Sequence, residues 1–141
     1  MAGREPWADR ARVVGVVAAG GMLGAAARHG VGLALPTPAD GVPWSTLLVN
    51  VSGCVLIGVL MILVVEVWTA HPLVRPFLGA GILGGYTTFS TAAVDAQQLI
   101  IAGRPALALG YTAGTAVAAL VAVQVGMALT RAVSRSRGDG R

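Results

Sequence analysis

Lysine is absent from the sequence, and charge of either sign is scarce: the 141 residues include ten arginines, six acidic residues and a net charge of +4. Because the arginines stand singly in apolar sequence without interleaved aromatic residues, no nucleic-acid-binding surface is predicted. The single cysteine, Cys54, excludes an internal disulfide and provides no second thiol for a metal. Paired intramembrane carboxylates, His or Cys clusters and a base placed beside a serine are also missing, so we predict that the protein is not an enzyme.

Apolar residues make up 55% of the chain and charged residues 11%, with a mean hydropathy of +0.76. Since one membrane span needs roughly 20 residues, four spans use most of the chain. We therefore predict an all-α membrane protein with four transmembrane helices within 13–130. A cytoplasmic N-terminal segment, 1–12, precedes them, and a polar, disordered tail, 131–141, follows.

The first predicted span follows three N-terminal arginines, a pattern that a signal peptide shares. No small-residue cleavage site precedes a polar mature chain, so we interpret 13–35 as a membrane helix that ends at Pro36. A stripe of small residues that includes Gly20 and Gly24 predicts close approach of another helix. Arg28 follows 15 uncharged residues, and either it extends to the headgroups or its guanidinium bonds helix-end carbonyls.

The second predicted span begins near Trp44 and carries Thr46, Asn50 and Gly53 at positions i, i+4 and i+7, on one helical face. Asn50 either bonds a neighbouring helix or belongs to a polar track along this face. The fourth predicted span, 105–130, places Tyr111 and Thr115 on one face; a tyrosine there is either an interfacial anchor or part of such a track.

The third predicted span contains the least helical stretch of the chain, GGYTTFST at 84–91, and no charge lies between Arg75 and Asp95. Two glycines weaken a helix by roughly 1 kcal/mol each relative to alanine, and the hydroxyls compete for backbone groups. Backbone without helical bonds is tolerated at membrane depth only in protein or beside water. The stretch therefore indicates either a kinked helix or a break that forms an ion or substrate site.

Hydroxyls, one amide and one aromatic ring donate hydrogen bonds or positive ring edges without fixed charge. Such groups suit a small anion that must shed water and still leave. Exposed N–H groups where a helix restarts attract anions, and carbonyls at the preceding helix end can hold a cation.

Three ordered motifs, GGMLGAAAR at 20–28, TLLVNVSG at 46–53 and GGYTTFST at 84–91, resemble the bacterial CrcB/Fluc fluoride channels over nearly the whole hydrophobic body. The resemblance implies an antiparallel, dual-topology dimer of four-helix subunits in the bacterial plasma membrane. It further implies fluoride pores along the subunit interfaces and a structural sodium ion held by carbonyls of the third-helix break.

The resemblance also implies roles for individual residues. The fluoride pore is expected to involve Asn50, Phe89, Ser90, Thr91, Thr46, Tyr111 and Thr115. Gly84 and Thr87 lie where the family supplies sodium-binding carbonyls, and Arg28 matches a structural arginine.

Two positions depart from the family pattern. Ala92 stands where a second pore phenylalanine is expected, and Ala119 where the fourth-helix track has a hydroxyl. They favour an alternative in which the chain is a non-conducting assembly subunit of a heteromeric channel. A small multidrug exporter is a further alternative, but its mid-membrane carboxylate is lacking because Glu66 and Asp95 lie near span ends.

The arginines are distributed unequally between the two predicted sides of the membrane. One side has eight, namely Arg4, Arg10, Arg12, Arg75, Arg131, Arg135, Arg137 and Arg141, and the other has Arg28 and Arg104. Loop arginines hold the positive side in the cytoplasm, so the chain is expected to insert mainly with both ends there. An antiparallel dimer then needs a related chain of opposite bias; a homodimer is the simpler alternative.

Overall fold

A computed structural model describes residues 6–38, 41–67 and 71–138. Its helices are α1 (Pro6–Ala34), α2 (Trp44–Ile62), α3 (Gly84–Tyr86), α4 (Phe89–Ile101) and α5 (Pro105–Gly138). Two π-helical segments, π1 (Leu63–Val67) and π2 (Pro76–Leu83), continue α2 and precede α3. Within these described ranges every regular element is a helix, which confirms the all-α prediction.

Among the described residues, three helical stretches are long and apolar enough to cross a membrane: Asp9–Ala34, Trp44–Ile62 and Pro105–Ser136. The chain between π2 and the end of α4 is divided into shorter helical pieces. Helices α2 and α5 begin where the sequence predicts, at Trp44 and Pro105.

Two predicted boundaries differ from the structure at the ends of the chain. Helix α1 begins at Pro6, inside the segment predicted to precede the first span. Helix α5 continues to Gly138, eight residues past the predicted end of the fourth span at 130 and into the segment predicted to be a disordered tail; residues 139–141 lie outside the described residues. The residues that follow the apolar part of α5 are compatible with a helix, so the helix continues through them. Its 34 residues make it roughly 50 Å long.

Helix α1 packs in parallel against π2 and α3 through glycine. A Cβ on Gly20 would lie 2.9 Å from the Ile82 nitrogen, and one on Gly24 would lie 2.7 Å from the Tyr86 nitrogen. The contacts advance in the same direction along both segments, so the two run in parallel. This confirms that the small residues of the first span permit close backbone approach.

Helix α2 packs in parallel against α5. A Cβ on Gly58 would lie 3.0 Å from the Met127 nitrogen, and nearer the ends of these helices Arg131 Nη2 lies 3.0 Å from Glu66 Oε1. Because α1 and α2 are consecutive and joined by a short connection, the two parallel pairs point in opposite directions.

This arrangement places the described arginines mainly at one end of the molecule. Arg10, Arg12, Arg75, Arg131 and Arg135 lie at that end, whereas Arg28 and Arg104 belong to the other. Many of the large apolar side chains between the ends are exposed; for example, Leu120 is 71% exposed. Such a surface requires lipid or another subunit to cover it.

Candidate functional site

Between α3 and α4 the backbone is extended for two residues. Thr87 has φ −76° and ψ 157°, and Thr88 has φ −150° and ψ 126°. The chain then resumes as a helix at Phe89. We refer to Thr87 and Thr88 as the interruption.

Asn50 on α2 binds the interruption with both ends of its amide. Its Nδ2 donates to the Thr88 carbonyl at 2.8 Å, and the Thr88 N–H donates to its Oδ1 at 2.8 Å. The side chain thus replaces the two backbone partners that a continuous helix or a strand would supply to Thr88. Asn50 therefore stabilises an extended peptide that has no sheet around it.

The same pairing changes the partners of two carbonyls. In a continuous helix the Thr88 N–H would donate to the Gly84 carbonyl and the Thr91 N–H to the Thr87 carbonyl. Here Thr88 N–H donates to Asn50, and Thr91 N–H donates to the Thr88 hydroxyl at 3.1 Å. Gly84 and Thr87, the residues expected to bind sodium, therefore both lose the helical donor that would ordinarily engage their carbonyls.

Hydroxyls gather around the first turn of α4. The Thr88 hydroxyl, which caps this helix, lies 3.3 Å from Ser90 Oγ and donates to Thr91 Oγ1 at 3.0 Å. The free N–H groups of a helix start carry partial positive charge, and a hydroxyl can rotate to donate toward an anion. This end of α4 therefore has a positive electrostatic potential that comes from N–H groups and hydroxyls and not from a charged side chain.

Four of the predicted pore residues line one groove between α2, α4 and α5. The groove has a volume of about 590 Å³. Its lining includes Asn50, Phe89, Tyr111, Thr115, Ala92 and Ala119. We call it the alanine groove, because its wall also includes Ala93, Ala96 and Ala116. The Phe89 side chain is 88% exposed, so it projects from the chain at the edge of the groove.

The remaining predicted residues lie elsewhere. Thr46, Thr91 and Arg28 line a second cavity of about 440 Å³ between α1, α2 and the start of α4. Ser90 is exposed and lines neither cavity. Within the part of the chain that the structure describes, the Arg28 guanidinium has no hydrogen bond or ion pair.

The two polar residues of α5 bond within the chain. Thr115 donates its hydroxyl proton to the Tyr111 carbonyl at 2.7 Å, the local bond that isolated helical threonines commonly make. The buried Tyr111 hydroxyl lies 3.5 Å from Asp95 Oδ2 on α4. The sequence predicts only that Asp95 lies near the end of a span. Its contact with Tyr111 depends on how α4 packs on α5.

Sequence reasoning missed Thr88, Ser52 and Tyr86. Thr88 could have been found as a helix cap, because a hydroxyl residue there precedes an apolar helical run. Ser52 and Tyr86, whose hydroxyl oxygens lie 3.0 Å apart, carry no local signal that they meet.

The chain matches known proteins along most of its length. Residues 15–127 match the family described as CrcB-like protein, Camphor Resistance (CrcB). A relative from Streptomyces avermitilis named fluoride-specific ion channel FluC 2 is 54% identical over 112 residues, covering 79% of this chain and 71% of the relative. Another from Streptomyces coelicolor, named fluoride-specific ion channel FluC 1, is 52% identical over 134 residues, covering 95% and 87%.

A third relative, also from Streptomyces avermitilis and named fluoride-specific ion channel FluC 3, is 43% identical over 122 residues, covering 86% of this chain and 60% of the relative. These relatives are bacterial, and with its long apolar helices the chain is a multi-pass bacterial membrane protein. The match to the family model and the identity to these relatives agree with the three sequence motifs. The chain therefore belongs to the CrcB family, whose relatives named here are fluoride-specific ion channels.

Proposed function

We propose that this chain is a subunit of a fluoride-selective channel that lets cytoplasmic fluoride leave the cell down its gradient. The observation that carries the proposal is the pairing of Asn50 with both backbone groups of Thr88, beside the alanine groove. It occurs in a chain about half identical to proteins named fluoride-specific ion channels.

The groups at this site suit a small, strongly hydrated anion. The start of α4 offers partial positive charge, Ser90 and Thr91 offer rotatable hydroxyls, and the Phe89 ring offers a positive edge. Tyr111 and Thr115 extend the polar lining of the alanine groove along α5, and Thr46 lines the second cavity on α2. None of these groups carries a full positive charge, so an anion can bind and still depart.

In the proposed membrane arrangement four spans cross the bilayer, and the third is the divided segment from π2 through α4. Two such subunits associate in antiparallel orientation. The exposed Phe89 then projects toward the second subunit, which accounts for its position at the groove edge. Arg28 keeps its proposed structural role. It lines the second cavity, where its guanidinium can bond that subunit.

A structural sodium ion would be held by the carbonyls of Gly84 and Thr87. Their fit rests on the diversion of the Thr88 and Thr91 N–H groups to side chains, because carbonyls without helical donors at membrane depth need another partner. When bound, the ion would neutralise the carbonyl dipoles where the helix ends. We expect replacement of sodium by a large organic cation to lower the melting temperature of the purified protein. An unchanged melting curve would remove the sodium site.

The second subunit is proposed to be a related chain of opposite arginine bias. The described arginines lie mainly at one end of the fold, which favours a single orientation in the membrane. Streptomyces avermitilis contains relatives named FluC 2 and FluC 3, so one bacterium can hold several such chains. The alanine groove, with Ala92 and Ala119 in its wall, also favours a second, related subunit, because it leaves room that a partner must fill.

Fluoride efflux from liposomes tests the function and the partner together. The purified chain is reconstituted alone and then with a related chain of opposite arginine bias, and potassium fluoride efflux is followed with a fluoride electrode. We expect efflux in the mixed liposomes to exceed that of either chain alone by at least about tenfold. Robust efflux from this chain alone would establish a homodimer, and chloride efflux equal to fluoride efflux would exclude selectivity. A mixture in which efflux depends only on the partner's pore residues, and not on Asn50, would make this chain the non-conducting assembly subunit.

A further inference from the structure

A second contact joins α2 to the interrupted segment two residues after Asn50. Ser52 Oγ lies 3.0 Å from the Tyr86 hydroxyl oxygen, and both side chains are partly buried. Tyr86 is the last residue of α3, immediately before the interruption. The contact therefore joins α2 to the chain on the N-terminal side of Thr87, whereas Asn50 binds on the C-terminal side.

The direction of this hydrogen bond follows from the partners of Ser52. Its hydroxyl lies 2.6 Å from the Leu48 carbonyl, which can only accept, so the single Ser52 proton is donated there. Ser52 then faces Tyr86 with a lone pair, and the Tyr86 hydroxyl donates. The result is a directed chain from Tyr86 through Ser52 to the backbone of α2, in which each bond strengthens its neighbour.

Between these two bonds the helix surface is bare. A Cβ on Gly53 would lie 3.3 Å from the Tyr86 ring and would overlap the Thr87 methyl group. The absence of a side chain at Gly53 lets Thr87 lie directly on α2. The segment 86–88 is thus held by a hydroxyl bond, a close contact of the Thr87 side chain with Gly53 and an amide pair in succession.

We propose that Ser52 and Tyr86 are positioning residues that hold Thr88 in register with Asn50 and thereby set the affinity of the sodium carbonyls. The inference rests on the proposed function for its link to sodium, but the positioning of Thr88 depends on the contacts alone. Without the Tyr86 hydroxyl bond, α3 can shift along α2. The Asn50 amide would then bond Thr88 for a smaller fraction of the time.

Amide exchange and sodium titration together test this role in the full-length protein. The variants are Tyr86→Phe and Ser52→Ala, singly and combined, with Ser52→Thr as the hydroxyl-retaining variant. Thr130→Ala is the matched control, because among the described residues its hydroxyl bonds its own helix alone, at the Gly126 carbonyl 2.8 Å away. Hydrogen–deuterium exchange is followed in a peptide covering 84–91, and fluoride efflux is measured over a range of sodium concentrations.

We expect each single variant to speed exchange of the Thr88 amide about fivefold, the size expected for one neutral hydrogen bond, and the double variant to be no faster than either. The sodium concentration for half-maximal efflux should rise by a similar factor, while Ser52→Thr and Thr130→Ala behave as the unmodified chain. Unchanged exchange in Tyr86→Phe, or additive effects in the double variant, would overturn the positioning role. If efflux from the unmodified chain is independent of sodium, the proposed sodium site fails, and the exchange data alone decide the pair.

Discussion

The two sides of the start of α4 differ in how far this chain completes them. Toward α2, Asn50 bonds both backbone groups of Thr88, and Ser52 bonds Tyr86. Toward the alanine groove, Phe89 is 88% exposed and alanines line the wall. On the α2 side the polar groups have hydrogen-bond partners within the chain, and on the groove side the Phe89 ring is left exposed.

In the proposed channel, the difference separates the scaffold from the conduction surface. An extended backbone at membrane depth needs its polar groups satisfied, and a single amide side chain can do so within one chain. An exposed aromatic ring beside a groove needs no such bond, and the proposed second subunit would bury it. We infer that changes on the α2 side alter both folding and flux, whereas changes on the groove side alter flux alone.

The largest effect is expected for Asn50→Asp. A carboxylate accepts from the Thr88 N–H but has no donor for the Thr88 carbonyl, and its charge repels an anion. We expect fluoride efflux from liposomes to fall about a hundredfold or more, with a lower melting temperature. Gln98→Glu makes the same chemical change on the exposed side of α4 and should leave both values nearly unchanged. Normal efflux from Asn50→Asp would contradict the inference that changes on the α2 side alter fluoride flux.

Gly24→Ala should disturb the scaffold without touching the groove. The new methyl group would overlap the Ile82 carbonyl and lie 2.7 Å from the Tyr86 nitrogen, both backbone atoms that cannot rotate away. We expect a destabilisation of about 2 kcal/mol, seen as a lower melting temperature. Gly30→Ala, where no atom of another described segment lies within 4 Å of the new Cβ, is the control and should be neutral or slightly stabilising. Equal melting temperatures for the two variants would show that the α1 contact is looser than the structure has it.

Phe89→Ile should separate flux from stability. Because the ring is 88% exposed, its loss removes little packing within the subunit. We expect fluoride efflux to fall up to about tenfold through loss of the ring edge, with an unchanged melting temperature of the isolated subunit. Leu109→Ile, at a residue that is 73% exposed and outside the groove lining, is the control. A large drop in melting temperature for Phe89→Ile would place the ring in the scaffold instead.

The smallest effect is expected for Glu66→Gln. Its partner Arg131 lies 3.0 Å away, but both side chains are nearly half exposed, at 43% and 48%. Exposed ion pairs contribute about 0–1 kcal/mol and are screened by salt. The melting temperature should therefore fall by at most a few degrees at low salt and not at all in 1 M salt. A salt-independent loss would mean that the pair is buried in the assembled protein.

Much of the helical architecture could be predicted from the sequence. Uncharged runs around Asn50 and Tyr111 were long enough for membrane spans, and helices α2 and α5 begin at the predicted residues Trp44 and Pro105. The end of α5 could not be predicted, because Arg131 and Arg135 mark the end of an apolar run and not the end of a helix. Arginine is a good helix former, so the helix continues past these residues to Gly138.

The candidate site was predictable in composition but not in pairing. The asparagine, the phenylalanine and the hydroxyls stood out because polar groups are costly in a membrane span. The sequence could not place Thr46 and Thr115 in different cavities, nor Tyr111 beside Asp95, since these depend on the packing of α2, α4 and α5. The pore roles of the seven residues named from the sequence, and the structural role of Arg28, stay predictions.

By itself the sequence determined that this chain is helical, lies in a membrane and belongs to the CrcB family, because hydropathy and ordered motifs are local properties of the chain. Only the tertiary structure decided that Asn50 replaces the backbone partners of Thr88 and that Tyr86 meets Ser52. Those bonds join residues 38 and 34 positions apart, and their geometry exists only once α2 packs against the interrupted segment.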